Sequence, residues 1–321
     1  GGEGSLEDPA TYIRDMIEMA ANGDTILVMP GTYTGSRNRN LDFQYNHDLN
    51  NDGVKNLVLK SAYGPDTTII DVNGQDFIDF TNNEDNSSKI IGFTITNSNS
   101  GAVDIWNSSP EVDNCIFLNN SINNNNGGAI NISGTNGEIV SITNTLFDGN
   151  SIQTGTSSRG GAIMLGTAGS MAYVENCIFY NNSSDEMGGA INQDNSSHLV
   201  IVQSLFVNNA TNSSWGAGGV NSFAAMYGCY TTIINSIFSG NTNTSGSSES
   251  DVYSSNAFEI DVDHCILQSE INAAFNYGEN YALDPFINDP ANGDFSLGDF
   301  SNAIGLGTDE YYNPLSDDDE N

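Results

Sequence analysis

The sequence predicts an all-β chain: a single-stranded, right-handed parallel β-helix with three short strands per rung and an N-terminal capping helix. Three observations carry the prediction. A short strand closing on Phe or Leu recurs at 114–117, 144–147, 176–179, 203–206, 235–238 and 264–267. A small-residue strand start, Gly-Gly-Ala-Ile at 127–130, 160–163 and 188–191 with a looser Gly218–Val220, alternates with it. The period averages about 30 residues, as in a stacked repeat whose insertions fall in loops.

Each unit reads as three strands; in one of them these are 128–132, 139–142 and 145–147. Strands this short cannot bury an apolar face alone, so each rung must stack on the next. Stacking places equivalent residues about 4.8 Å apart, Phe on Phe and Ile on Ile. Asn114, Asn144, Asn176 and Asn235 fall where the second strand turns into the third. Asn tolerates a left-handed backbone there, and its amide can bond to the Asn above and below. The paired glycines permit the tight re-entry into the first strand.

The ends fit the same plan. Residues 7–20 have a helical pattern, with Ile13, Met16, Ile17 and Ala20 on one side. Residues 1–23 are therefore the N-terminal segment with the capping helix, since a solenoid needs its open end covered. The β-helix spans 24–307, closing with Asp284–Ile287 and Gly293–Gly298, and 308–321 is an acidic tail or linker.

Composition excludes several functions. Seven basic against 41 acidic residues leave a net charge of −34, which repels nucleic acid and anionic membranes. No apolar run is long enough to span a bilayer. The chain opens on Gly1 without Met, as a processed or trimmed fragment does. Cys115, Cys177, Cys229 and Cys265 form no Cys-x-x-Cys pair, which argues against zinc. Cys115, Cys177 and Cys265 share one column two or more rungs apart, beyond disulfide reach, and read as buried thiols. The spacing leaves the pairing of Cys229 with Cys265 open.

Phe-x-x-Asn (Phe117/Asn120, Phe147/Asn150, Phe179/Asn182, Phe206/Asn209, Phe238/Asn241) followed by Gly-Gly-Ala-Ile resembles the repeat of chlamydial polymorphic outer-membrane proteins. Gly23–Tyr33 and the closing Asp-Pro-Phe and Asn-Gly-Asp-Phe segments resemble pectate-lyase-like secreted bacterial β-helix proteins. The resemblance covers roughly residues 20–307. It implies the fold; the class holds adhesins, surface proteins, lyases and glycosidases, so it does not choose an activity.

No catalytic residue is assigned. Lyases of this class use Lys or Arg, yet only Arg159 lies in the regular repeats, and it reads as a solvated loop residue. A glycosidase needs two carboxylates about 5 to 10 Å apart. The outward row of first strands reads Asp104, Asn131, Met164, Asn192, with no acidic neighbour expected beside Asp104. His264 takes the turn position held elsewhere by Asn and reads as structural, and His47 and His198 are scattered.

Asp48, Asn50 and Asp52 before Gly53 match the first half of a calcium loop, although Leu59 replaces the closing Glu. Ca²⁺ is the one cofactor this pattern admits. Trp106 and Trp215 are candidate sugar platforms beside the Asn/Ser/Gly-rich loops 121–126, 151–159, 183–187, 210–217 and 242–249. Glycosylation sequons include Asn86, Asn107, Asn131, Asn195, Asn209 and Asn243.

The expected function is a non-enzymatic extracellular or cell-surface structural or adhesion module. It would display its loops to a glycan, a surface protein or its own copies in filaments or an envelope layer. The alternative is a polysaccharide-active or carbohydrate-binding β-helix. For the calcium loop, calorimetric titration with Ca²⁺ is expected to release heat with the native chain and none with Asp52→Ala. Equal heats would remove the loop as a site.

Overall fold

The computed structural model describes residues 4–5, 7–45, 53–123, 127–153, 158–167, 169–194, 196–213, 216–223, 228–244, 250–255, 259–269 and 276–308. It is a parallel β-helix with three sheets per rung, as the repeat predicts. Among the described residues, the first-strand sheet has eight strands from Leu41–Asp42 to Val252–Ser255. The second-strand sheet has ten, beginning at Thr25–Val28, and the third-strand sheet eight, beginning at Gly31–Tyr33. A fourth, five-stranded strip occupies one corner: Ser121–Asn123, Ser151–Gln153, Ser183–Ser184, Ala210–Thr211 and Thr242–Asn243. Each of these strands takes the opening residues of a segment read from sequence as loop.

The Phe stack forms in register. Phe117, Phe147, Phe179, Phe206 and Phe238 are fully buried, with successive parallel rings 5.1, 4.8, 4.6 and 4.6 Å apart. Parallel pairing with no register slip dictates this spacing.

Two asparagine columns exist, with different work. Asn114, Asn144, Asn176 and Asn235 adopt φ of 50–52° in the expected turn. Their side chains link only in part: Asn176 Nδ2 donates to Asn144 Oδ1 at 2.7 Å, while Asn144 Nδ2 donates to Asp113. The continuous ladder is the Asn of Phe-x-x-Asn. Asn150, Asn182 and Asn209 are fully buried. In each, Nδ2 donates to the Phe carbonyl of the preceding rung at 2.9 Å. Nδ2 and the backbone N–H both donate to the next Asn Oδ1 at 2.9–3.0 Å. The ladder starts where Asn120 Oδ1 accepts Ser98 N–H and ends where Asn241 Nδ2 donates to buried Asp251.

The paired glycines serve two separate needs. Gly127, Gly160 and Gly188 have positive φ. Gly128, Gly161 and Gly189 have none, but a Cβ there would collide with backbone carbonyls of the next rung.

The capping helix is shorter than the pattern implied, spanning Ile13–Met19. Its first N–H is capped from another segment, by Asn38 Oδ1 at 2.9 Å, so helical structure starts only there. Ile13 and Ile17 close the core. Lys55, 2% exposed, donates from Nζ to the Ile17 carbonyl at 2.8 Å, a cation at the helix C-terminal turn.

At the other end, Ile287–Asp289 and Asp294–Leu297 form an antiparallel hairpin. It folds back along the outside of the solenoid, with Phe295 against Tyr180 at 5.2 Å, rather than plugging its end. Residues 309–321, most of the expected acidic tail, lie outside the described residues. All four cysteines are free and buried, so Cys229 and Cys265 do not pair. No helix among the described residues is long and apolar enough to cross a membrane.

Asn182→Ala would leave the Asn150 donors and the Phe147 carbonyl unsatisfied, at about 1–3 kcal/mol for each buried group. Urea unfolding is expected to show a far larger loss for Asn182→Ala than for Asn176→Gly in the turn column; equal losses would mean the ladder contributes little. Burial pushes Cys115, Cys177 and Cys265 up to about 12. Ellman's reagent is therefore expected to label the thiols only after denaturation.

Candidate functional site

The outward face of the first-strand sheet is built by alternation. In Leu41–Phe43, Ile78–Phe80 and Val103–Ile105 the flanking apolar residues point inward and the central Asp points out. Pairing then stacks Asp42 on Asp79 and Asp79 on Asp104, followed by Asn131, Met164, Asn192 and Asn221. Adjacent members are about 4.8 Å apart at Cα. This corrects the sequence reading, which placed no carboxylate beside Asp104. The rungs of Asp42 and Asp79 lack the Gly-Gly-Ala-Ile start, so the motif could not align them with Asp104.

The three carboxylates differ in setting. Asp79 is half-buried and its Oδ1 is enclosed without a hydrogen-bond partner. Burial first, then the charges of Asp76, Asp104 and Asp42, pushes its carboxyl up to about 7. Asp42 is also pushed up by burial, opposed by the Gln44 N–H it accepts at 2.7 Å and by the charge of Lys55. Asp76, at the foot of the Asp79 strand, is raised by burial against a hydrogen bond from Ser100. Asp104 is exposed and accepts Asn131 Nδ2 at 2.7 Å. Asn131 Oδ1 is enclosed and unpartnered.

Trp106 follows Asp104 by two residues on the same outward row and is 59% exposed. An aromatic face next to carboxylates and amides is the usual surface for a sugar ring. Behind the row, buried Glu84 ties the three rungs together. It accepts Gln44 Nε2 at 3.0 Å, Asn82 N–H at 2.8 Å and Ser108 Oγ at 2.8 Å. Gln44, Asn82 and Ser108 lie two, three and four residues past Asp42, Asp79 and Asp104, respectively. The acidic row is thereby held on a rigid corner, which is what precise placement of reactive groups requires.

Further along the column Met164, Asn192 and Asn221 are at most 1% exposed, so the open part of the face runs from Asp42 to Asn131. Arg159 is not a solvated loop residue. Its guanidinium donates to Asp194 Oδ2 at 2.6 Å, approaches Glu186 at 3.6 Å and lies over the Phe223 ring at 5.0 Å. Its charge is committed to buried Asp194.

Other expected residues fall elsewhere. Asp48, Asn50, Asp52, His47, Trp215 and Asn195 lie outside the described residues. Asn86 and Asn107 are exposed. Asn209 cannot be a glycan acceptor in the folded chain, because it is fully buried and its amide is consumed by the ladder. Asn243 is 8% exposed and its Nδ2 donates to the Gly216 carbonyl at 2.5 Å. Asn131 holds Asp104, as described. His264 has φ of 50° in the turn column, with Nδ1 2.9 Å from Asp263 Oδ1. His198 packs against Tyr230 on the second-strand sheet.

No family model and no curated protein matches the chain. Among solved structures it is similar to a mannuronic acid specific polysaccharide family 6 lyase from human gut microbiota. The likeness has 14% identity and a TM-score of 0.30, covering 82% of this chain and 72% of that one.

Proposed function

We propose that this chain is an extracellular glycan-binding β-helix whose Asp42–Asp79–Asp104 row hydrolyses a neutral polysaccharide. The observation that carries this reading is the stacking of Asp79 on Asp104 beside the exposed ring of Trp106. Adjacent-rung carboxyls suit the short separation of retaining glycosidases, and Asp42 with Asp104, two rungs apart, the longer one of inverting enzymes. Asp79, holding its proton to about pH 7, is the general acid, and exposed Asp104 is its partner on the sugar. Trp106 supplies the platform.

Charge selects the substrate class. Asp42, Asp76, Asp79 and Asp104 crowd one face, and Arg159 is committed to Asp194, so a polyuronate would be repelled. A neutral polymer fits better than the acidic polymers that lyases cleave.

A second reading, a surface module that displays loops, draws on the corner strip. Its five strands stack in register along one corner of the solenoid. Calcium at 48–52 and the likeness to outer-membrane repeats belong to this reading.

Incubation with a panel of neutral polysaccharides is expected to release reducing ends. Asp79→Asn and Asp104→Asn are each expected to lower the rate by about 10²-fold or more, while Trp106→Ala chiefly raises KM. No turnover on any polymer, with no binding by affinity electrophoresis, would leave the display reading. The raised carboxyl of Asp79 also opposes folding once ionised: its proton is bound more tightly in the native state, so the stability it confers is complete in acid and lost as pH rises towards 7. Asp79→Asn is therefore expected to raise Tm at pH 8 and leave it nearly unchanged at pH 4.

A further inference from the structure

The third-strand sheet has an apolar outer wall. In each rung the buried Phe is flanked by outward residues, and register stacks Ile116, Leu146, Ile178, Leu205 and Ile237 into one column. A second column carries Leu118, Asp148, Tyr180 and Val207. An aliphatic stripe over five rungs, about 19 Å long at 4.8 Å per rung, is unusual on a chain of net charge −34.

Part of the wall is already occupied, at Tyr180 of the second column. The C-terminal hairpin lies on this wall, with Phe295 against Tyr180 and with Phe295 and Leu297 half-buried on alternate positions. Its return is pinned where Asn235 and Thr308 exchange hydrogen bonds, both at 2.9 Å. The wall's natural ligand is therefore an apolar stretch of this same segment. Two features are left over. Ile116, Leu118 and Leu146, on the rungs before Tyr180, remain partly exposed. On the C-terminal segment Phe300 is 94% and Ile304 60% exposed.

We infer that these two surfaces meet between two copies of the chain. The Phe300–Ile304 segment of one copy docks on the Ile116, Leu118 and Leu146 rungs of the other, continuing the contact that Phe295 and Leu297 make within each copy. The segment directly follows the hairpin that lies on this wall, so a side-by-side pair related by a two-fold axis buries each element twice and closes the assembly. A second copy is the occupant because it brings the segment the wall already accepts. The charge of −34 opposes the pairing, so association strengthens with salt.

Sedimentation velocity of the full chain over a concentration series, at low and high NaCl, tests this. A dimer that tightens with salt is expected. Phe300→Asp, at a position exposed in the monomer, is expected to raise the dimer Kd about tenfold or more. Leu146→Glu should do the same, with its fold checked by circular dichroism, and Leu27→Asp at the N-terminal end should leave the dimer intact. A monomer at every concentration in high salt would overturn the inference. So would a dimer indifferent to Phe300→Asp, or one lost with Leu27→Asp, which would place the contact at the solenoid's end.

Discussion

From Ser98 to Asp251 the interior of the solenoid carries a chain of amide hydrogen bonds through Asn120, Asn150, Asn182, Asn209 and Asn241. Each amide serves the rung before and the rung after, so no rung can slip without stranding buried donors. A one-residue slip would also turn the whole apolar set outward. The Phe stack, the glycine re-entry and the outward columns all inherit this register. The stack alone would tolerate sliding, because apolar contact is not directional.

Fixed register makes the faces of the solenoid useful. Any residue between two inward apolar positions is repeated at rung spacing, so like residues accumulate in columns. On the first-strand face this brings Asp42, Asp79 and Asp104 together, where burial first and mutual repulsion second push the Asp79 carboxyl up to about 7. On the third-strand face it makes a stripe of Ile and Leu. The same alternation thus gives the molecule an acidic, polar face and an apolar wall. Glu84 stiffens the first at its corner, and the C-terminal hairpin partly covers the second.

The ends obey different physics. A parallel stack leaves open edges and an exposed core at each terminus. The short helix closes the first with Ile13 and Ile17, fastened by Asn38 at its start and Lys55 at its final turn. The hairpin at the far end turns outward and sets Phe295 against Tyr180.

By itself the sequence determined the parallel β-helix, its period, the Phe stack, the left-handed Asn turns and the burial of the cysteines. Each follows from local chemistry repeated at a readable interval. It also contained the internal ladder, since Phe-x-x-Asn was visible as a motif, but a motif does not say which way an amide points. Only the tertiary structure decided that Asp42, Asp79 and Asp104 form one row and that Arg159 is spent on Asp194. Residues 42 and 79 lie in rungs without the glycine signature, and Arg159 meets its partner 35 positions along the chain. The stack converts such sequence distances into contacts of one rung, and register, which only folding sets, selects which residues become neighbours.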